Sequence, residues 1–540
     1  MHMTARTRHP ALTVLGALAL AACSDTGSTG STGVGGLVEE VSLHQLAEEL
    51  ADGRMTSVAI TQAYIDRIDA MDGPLNSIIL IAPDALEQAA ASDARRADGD
   101  ERGALDGVPI LLKDNVDAVG MPTTAGSYAL EENYPARDAE IVRRLRGAGV
   151  VILGKANLSQ FAGFRNTAAF NGSTVGGSPR NPYDVSRSPG GSSSGSGIAT
   201  AMSFAAATIG TETAGSIVGP SSLNGIVGMK PTIALVSRRG IVPISLNQDS
   251  SGPMTRTVRD AAMLLDVIAG TDAEDPWSDE ADGRTVPYAA ALDANALQGR
   301  RLGIVRPTGE NADQVGPLFE ATLGVLSAEG AELVDIPADA LVDPGPEMRT
   351  ILLHDFKTDL NAYLRTTPGA VGVRTLAELI DFSRNDTRES MHSMDYWVDA
   401  EATEGGRTNP AYLTALTAGR RLTGAAGIDR LLAEHDVDVL VAPTGSPASE
   451  IVADGTPRTG PIPQGPRSDR PASLTVTAAV AGYPLISVPM GLVDGLPVGL
   501  TFASTAWSES LLLSLAYDFE QASQARVPPA RALTGELAGR

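Results

Sequence analysis

Residues 188–231 read SPGGSSSGSGIATAMSFAAATIGTETAGSIVGPSSLNGIVGMKP, and the rest of the chain is organised around this stretch. It contains two turns rich in serine and glycine, residues 190–195 and 211–216, separated by one short helix and one strand. Glycine lets a backbone turn tightly and present several N–H groups at one point, which suits an oxyanion better than a packed core. The pattern therefore predicts a functional site at these turns.

A lysine at the end of an apolar run is the third unusual feature. Residues 107–115, GVPILLKDN, indicate a buried strand that ends on Lys113. A charged lysine is costly there unless it is paired or neutral. A serine hydroxyl is a poor nucleophile without an adjacent base, and a lysine with a lowered pKa can be that base. Lys155 and Lys230 also follow glycine-containing loops, but in shorter and more polar settings.

The six histidines offer no better base near the turns. Two lie in the N-terminal leader, one in a predicted N-terminal helix and three in helical stretches without a glycine turn: His2, His9, His44, His354, His392 and His435.

Residues 191–195 also fit G-x-S-x-G, the nucleophile elbow of α/β-hydrolases, with Ser193 in the middle. That fold needs a strand directly before the turn and an acid–histidine pair after it. Residues 179–189 contain three prolines, which exclude a central strand. We therefore reject this interpretation.

The lysine strand, the two turns and the segment GIVGMKP at 225–231 resemble the amidase signature family, serine hydrolases with a Ser–Ser–Lys triad. The resemblance extends over the chain from about residue 37. Within the family, residues 233–254 and 479–507 are most similar to the peptide amidase branch.

The resemblance implies a role for each member of the triad. Ser216 matches the acylated nucleophile, Ser192 the bridging serine that follows a cis peptide bond, and Lys113 the general base. Taken alone, Ser216 could instead cap a helix, residues 192–194 could form an anion nest, and Lys113 could be a surface lysine. The spacing and order of the motifs together favour the triad.

The resemblance also implies residues for the oxyanion hole and for substrate binding, the former through backbone N–H groups that include that of Ser216. The candidates are Thr213, Ala214, Gly215, Ser193, Phe164 and Arg165.

The rest of the chain indicates an α/β fold with one large domain at residues 37–540. An amphipathic helix followed by a short apolar strand and a glycine turn recurs at residues 138–154, 196–210 and 313–334. This order is typical of a central mixed, twisted sheet covered by helices on both faces. Residues 351–427 show no strand and predict a helical insertion, either a pocket wall or a plain structural cap.

Composition limits the partners. There are 41 Lys and Arg against 65 Asp and Glu, a formal net charge of −24, which argues against a nucleic acid partner or an anionic membrane surface. The single cysteine excludes disulfides within the chain and cysteine-ligated metals. We find no metal-ligand, phosphate-loop or cofactor motif, and expect no cofactor.

The N-terminus has the pattern of an export signal. Basic residues 6–9 precede the apolar run 11–22, and the LAAC sequence ends on Cys23 and resembles a bacterial lipobox. Residues 1–22 then form a signal peptide, Cys23 is lipidated, and residues 24–36 are a flexible tether. We expect export and a lipid anchor at the bacterial cell envelope, in the periplasm or outer membrane. The alternative is an ordinary cleaved signal with a chance cysteine.

Together these features predict a monomeric amide hydrolase that works through an acyl-enzyme. The expected substrate is a small amide or a short peptide amide, with ammonia released from a C-terminal amide. Aryl, fatty acyl or cyclic amides are the alternative substrates, and a catalytically silent anchored binding lipoprotein is the alternative of another class. The lipid anchor argues against a role in cytosolic tRNA transamidation.

Overall fold

The computed structural model describes residues 36–165, 172–337, 339–389, 393–451 and 473–530. The predicted signal peptide, Cys23 and nearly all of the tether lie outside these residues. The first helix begins with a capping box, because Ser42 Oγ accepts from Gln45 N at 3.3 Å and the Gln45 side chain accepts from Ser42 N at 2.9 Å.

Eleven strands of the described residues form one sheet. Their bounds are β1 Ile78–Ile81, β2 Pro109–Lys113, β3 Val151–Ala156, β4 Ala207–Glu212, β5 Val227–Lys230, β6 Ser250–Thr255, β7 Arg301–Val305, β8 Glu332–Ile336, β9 Val439–Pro443, β10 Leu485–Val493 and β11 Leu496–Ala503. Their order in the sheet is β1–β3–β2–β4–β6–β5–β10–β11–β9–β7–β8. β2 is parallel to β3 and β4, and β7 is parallel to β8 and β9, whereas the other pairs are antiparallel. The predicted mixed sheet is confirmed.

The helices of the described residues cover both faces of this sheet. Their bounds are α1 Leu43–Ala51, α2 Ser57–Met71, α3 Ala85–Asp98, α4 Glu140–Gly147, α5 Ser194–Ala201, α6 Val218–Leu223, α7 Val258–Ile268, α8 Glu310–Ala328, α9 Gly345–Leu364, α10 Leu376–Asn385, α11 Asp395–Glu401, α12 Pro410–Thr423, α13 Asp429–His435, α14 Leu474–Ala481 and α15 Glu509–Ser523. Along β9, Val439 and Val441 join the apolar core that contains α7 and α15, whereas Leu440 joins the core that contains α13 and α14. This alternation is what a sheet covered on both faces requires.

Strand β6 is a strand that the sequence did not indicate, because Pro253 stands in its middle. The strand nevertheless lies between β4 and β5 in the interior of the sheet. β5 pairs only with Met254 and Thr255, so Pro253 lies beyond the end of that ladder. A proline can be accommodated where one neighbouring ladder has already ended.

Helices α9 to α13 lie between β8 and β9, and the predicted helical insertion is confirmed. A separate apolar cluster holds this insertion together, with Phe356, Leu360 and Trp397 fully buried. Buried residues from other parts of the chain also belong to this cluster, among them Phe161 and Phe164. The insertion therefore packs directly against the turn that follows β3.

None of the helices in the described ranges has both the length and the apolar character needed to cross a bilayer.

Candidate active site

The site lies where the parallel strands β2 and β4 end next to each other. Leu112 of β2 pairs with Ile209 of β4, so Lys113 comes to the carboxyl end of β4. Both strands are buried along their whole length, and the exposed fraction of Lys113 is 0%. The fold thus places the Lys113 amine among apolar strands, at the end of the sheet where the loops after β2 and β4 meet.

Three oxygen atoms surround the amine of Lys113. Its Nζ lies 2.8 Å from Ser192 Oγ, 2.8 Å from Thr211 Oγ1 and 3.0 Å from the Thr211 carbonyl oxygen, to which it donates. Asn115 Nδ2 donates to the same Thr211 hydroxyl at 3.0 Å. The amine is therefore held by hydroxyl and carbonyl groups, with no carboxylate in direct contact among the described residues.

Burial lowers the pKa of Lys113 to about 7, although the negative charges of Asp249 and Glu212 act to raise it. Near neutral pH a large share of the Lys113 side chain is then the free amine, which can accept a proton.

Ser192 lies in the first of the two turns, just before α5. Its preceding peptide bond, between Gly191 and Ser192, is cis, as the family resemblance implied. Ser159 N donates to the Ser192 carbonyl oxygen at 2.9 Å, and the N–H of Ser193 donates to the Ser216 carbonyl oxygen at 3.2 Å. The second bond ties the two predicted turns together, although Ser193 and Ser216 are 23 residues apart in sequence.

Ser216 lies in the second turn, between β4 and α6, and is half-buried. Glu212 holds the end of this turn, because its Oε2 accepts from Ile217 N at 2.7 Å and Val218 N at 3.0 Å. By contrast, the N–H groups of residues 213–216 donate to no group in the described part of the chain. Four unused donors beside a partly exposed serine are suited to an oxyanion.

The sequence profile of the amidase family matches residues 59–513. The chain belongs to the amidase family, hydrolases of amide C–N bonds.

Two solved structures and one relative show which amidases this chain is similar to. The peptide amidase of Stenotrophomonas maltophilia superposes with a TM-score of 0.83 at 45% identity, over 91% of this chain and 98% of that one. A peptide amidase bound to the competitive inhibitor chymostatin gives 0.84 at 45% identity, over 91% and 99%. A glutamyl-tRNA(Gln) amidotransferase component from Salinispora tropica is 35% identical over 91% of this chain and 98% of its own length.

Burial does not single out Lys113 in this amidase, although the sequence around Lys155 and Lys230 is shorter in apolar residues and more polar. The exposed fraction of all three lysines is 0%. Lys155 Nζ donates to the Val116 carbonyl at 2.6 Å and lies 3.6 Å from Asp114 Oδ1, whereas Lys230 Nζ donates to the Pro231 carbonyl at 2.8 Å. Only Lys113 contacts the Ser192 hydroxyl, so the contacts distinguish it.

The hydroxyl of Ser193 is used inside the amidase fold. It donates to the Thr211 carbonyl at 3.1 Å and accepts from Thr211 N at 3.3 Å, and Ser193 is fully buried. These bonds give its side chain a structural role in place of the expected contact with substrate. They also set aside the nucleophile elbow, since no strand precedes the turn within residues 172–190.

Phe164 and Arg165 were expected near the substrate, but their side chains lie in the cluster of the helical insertion. Phe164 packs against Phe356 and Tyr396, with ring centroids 4.5 and 5.2 Å apart. Arg165 is fully buried, where Nη1 donates to Glu389 Oε2 and Nη2 donates to the Glu389 carbonyl at 2.8 Å. Through these contacts, the two side chains connect the helical insertion to the turn after β3.

The sequence analysis did not identify Asp249 and Asn115, two polar residues that support the site. Thr213 Oγ1 donates to Asp249 Oδ1 at 2.6 Å, and Asp249 also accepts from the backbone N–H groups of Ile244 and Ser245. Asn115 holds the Thr211 hydroxyl, as described above. The available signals were the polar residues directly after Lys113 and the aspartate before the Gly-Pro of β6.

Among the described residues, no group of three or more His, Cys, Asp or Glu side chains is placed to hold a metal ion.

Proposed function

We propose that this amidase works through a Ser–Ser–Lys triad in which Ser216 is the nucleophile, Ser192 relays protons and Lys113 is the base. The observation that carries the proposal is the 2.8 Å contact between Lys113 Nζ and Ser192 Oγ, made by a fully buried lysine. A neutral amine can accept a proton from a hydroxyl at this distance.

In the first half of the reaction, Ser216 Oγ attacks the amide carbonyl carbon. The Ser216 proton passes to Ser192, and the Ser192 proton passes to Lys113 Nζ. The N–H groups of residues 213–216 stabilise the negative charge that develops on the carbonyl oxygen, and removing such a donor typically costs about 3 kcal/mol of barrier. When the C–N bond breaks, Lys113 returns the proton through Ser192 to the leaving nitrogen, so that an amine and a Ser216 ester result.

In the second half, water attacks the Ser216 ester. The same relay removes a proton from that water and returns it to Ser216 Oγ as the ester bond breaks. The products are the free carboxylic acid and the original enzyme, with no proton left over.

We further propose that the substrates are C-terminal amides of short peptides. The support is the 45% identity to peptide amidase structures across nearly their full length, against 35% to the amidotransferase component. A peptide amidase must bind an extended backbone on one side of the reacting carbonyl and admit a small amine on the other. Side-chain identity should then have little influence on the rate.

Mass spectrometry of a short amidated peptide tests the substrate class. We expect the terminal –NH₂ to be replaced by –OH, with the internal peptide bonds and an asparagine side chain intact. Rapid cleavage of long-chain fatty amides or aryl amides, with peptide amides untouched, would overturn the peptide proposal and leave the family assignment standing. A fluorophosphonate probe that labels wild type but not Ser216→Ala separates an enzyme from a silent binding protein.

The amidotransferase relative defines a second candidate, hydrolysis of the glutamine side-chain amide. Ammonia released from free glutamine by the isolated chain, at a rate above that from amidated peptides, would favour it.

For the N-terminus we propose export and lipid attachment at Cys23. The support is the basic segment at 6–9, the apolar run 11–22 and the LAAC sequence. Cys23→Ala should release the protein from the membrane fraction without a change in kcat. Wild-type protein found free in the cytoplasm would contradict the proposal.

A further inference from the structure

Glu389 is a buried carboxylate in the helical insertion that gathers donors from three distant segments. Its exposed fraction is 0%. Among the described residues, four groups donate hydrogen bonds to its carboxylate: Gln160 Nε2 at 2.7 Å, Tyr128 N at 2.7 Å, Ser127 Oγ at 2.8 Å and Thr174 Oγ1 at 3.0 Å. Arg165 Nη1 forms an ion pair with it. Although burial acts to raise it, these hydrogen bonds and the charge of Arg165 hold the pKa of Glu389 below its usual range.

Two of these donors, Gln160 and Arg165, flank an unusual turn. Phe161 and Ala162 both have left-handed backbone conformations, with φ of 48° and 53°. Residues with a Cβ rarely adopt this conformation, and it persists only where the surroundings impose it. Here the turn is held on one side by Glu389 and on the other by Phe161, whose ring packs edge-on against Trp397 with centroids 5.0 Å apart.

The same turn lies against Ser192. Ser159 N, one residue before the turn, donates to the Ser192 carbonyl oxygen at 2.9 Å. A Cβ added at Gly163 would lie 3.7 Å from Ser192 Cβ. Ser192 in turn contacts Lys113 through its hydroxyl.

We propose that Glu389 is a positioning residue for Ser192, acting through Arg165, Gln160 and the turn between them. The helical insertion then sets the geometry of proton transfer, in addition to any part it has in covering the substrate. This inference rests on the proposed role of Ser192 as the relay. Glu389 touches neither Lys113 nor Ser216 and takes no proton in the reaction.

Because a buried ion pair also stabilises the fold, the test needs a measurement that a loss of stability alone would not change. The pair Arg95–Asp106 is a suitable control, because Asp106 is fully buried and accepts both Nε and Nη2 of Arg95. Asp106 lies just before β2, and Arg95 lies on α3, far in the chain from both serine turns. Loss of this pair should lower stability without disturbing Ser192.

The experiment compares the double variants Arg165→Gln/Glu389→Gln and Arg95→Gln/Asp106→Asn in the full chain. The rate of fluorophosphonate labelling at Ser216 reports on nucleophile activation, thermal unfolding reports on stability, and KM and kcat are measured on an amidated tripeptide. We expect the first variant to label and turn over about tenfold more slowly or worse, with KM nearly unchanged, and the second to keep the wild-type rates. In a Ser192→Ala background the Arg165→Gln/Glu389→Gln changes should cause little further loss, because their effect passes through Ser192.

Each result has one interpretation. Equal labelling rates in the two double variants, or a loss that adds fully to that of Ser192→Ala, would overturn the positioning role. Wild-type protein that is not labelled at Ser216 would overturn the proposed triad instead.

A milder pair of variants keeps the inference testable if the Glu389 variant does not fold. Gln160→Met and Thr174→Val each remove one hydrogen bond to Glu389 and leave the ion pair in place, but only Gln160 belongs to the turn beside Ser192. We expect Gln160→Met to slow labelling several-fold and Thr174→Val to leave it unchanged. Equal effects of the two would contradict the inference.

Discussion

Lys113 and Lys155 lie on neighbouring parallel strands, both with an exposed fraction of 0%, yet their surroundings prepare them for different tasks. Lys155 pairs with Leu112, so the two lysines are one residue apart in register. Burial lowers the pKa of both. The difference lies in their partners: Lys155 has the carboxylate of Asp114 at 3.6 Å in addition to the hydroxyl of Thr123 at 3.1 Å, whereas Lys113 has the hydroxyls of Ser192 and Thr211 and no carboxylate in contact among the described residues.

The comparison shows that burial alone does not make a base. A carboxylate in contact with a buried lysine favours the charged form of that lysine, because the ion pair compensates for part of the lost hydration. A buried lysine whose direct contacts are hydroxyls has no ion pair to offset its burial, so it releases its proton more readily, and the hydroxyls give it a path for proton exchange. The following variants test this distinction.

The largest expected effect is on catalysis. Lys113→Met should lower kcat by about 1,000-fold, within the usual range for loss of a general base, whereas Lys155→Met should stay within about tenfold of wild type. Hydrolysis of an amidated tripeptide measures both, with Ser216→Ala as the inactive reference. Lys113→Met retaining a tenth of the wild-type rate would refute the base assignment.

The same two variants should differ in stability with opposite signs. Holding the pKa of Lys113 near 7 against about 10.5 in the unfolded chain costs about 4 kcal/mol at pH 7, so Lys113→Met should be at least as stable as wild type. Lys155→Met leaves Asp114 buried without its partner and should lose about 3 kcal/mol. Urea unfolding at pH 7 measures both.

The pH dependence of that unfolding is the control. The folded-state pKa of Lys113 lies below the unfolded one, so the cost is fully present below about pH 7 and disappears as the pH rises towards about 10.5. The stability of wild type should therefore approach that of Lys113→Met in alkali. A difference that does not vary with pH would mean that Lys113 stays charged in the folded protein.

The rate of hydrolysis should rise with pH through a midpoint near 7, because only the free amine of Lys113 can accept the proton. Below the midpoint the rate should fall about tenfold per pH unit. Asp249→Asn removes a negative charge that acts to raise the pKa of Lys113, so its midpoint should move to lower pH. A pH–rate profile that is flat from about pH 5 to 9 would contradict the lysine base.

Much of the sheet could be predicted because its strands are short apolar runs set between glycines. The run 150–153 became part of β3, and the run ending at Lys113 became β2. Strand β6, SSGPMT, could not be predicted, since its residues favour turns and only its neighbours in the sheet make it a strand.

The parts of the candidate site that could be predicted are those that have a motif of their own in the local sequence. The two turns and the lysine strand each have such a motif, and the fold brings them together. The roles of Phe164 and Arg165 could not be seen, because Phe164 packs against Phe356 and Tyr396, and Arg165 pairs with Glu389, all of them about 190 or more residues further along the chain. Contacts of this range leave no local pattern in a single sequence.

The smallest expected effect concerns Thr211, the second hydroxyl at Lys113. Thr211→Val removes the contacts with Lys113 Nζ and Asn115 Nδ2 and keeps the carbonyl that Lys113 also contacts. If Ser192 alone relays the proton, Thr211 only orients the amine, and losing one hydrogen bond of about 1 kcal/mol should lower kcat about fivefold. Thr211→Ser keeps the hydroxyl and should restore most of the rate. A Thr211→Val variant as inactive as Lys113→Met would instead place Thr211 in the proton path, and the difference between Lys113 and Lys155 would then depend on two hydroxyls and not on Ser192 alone.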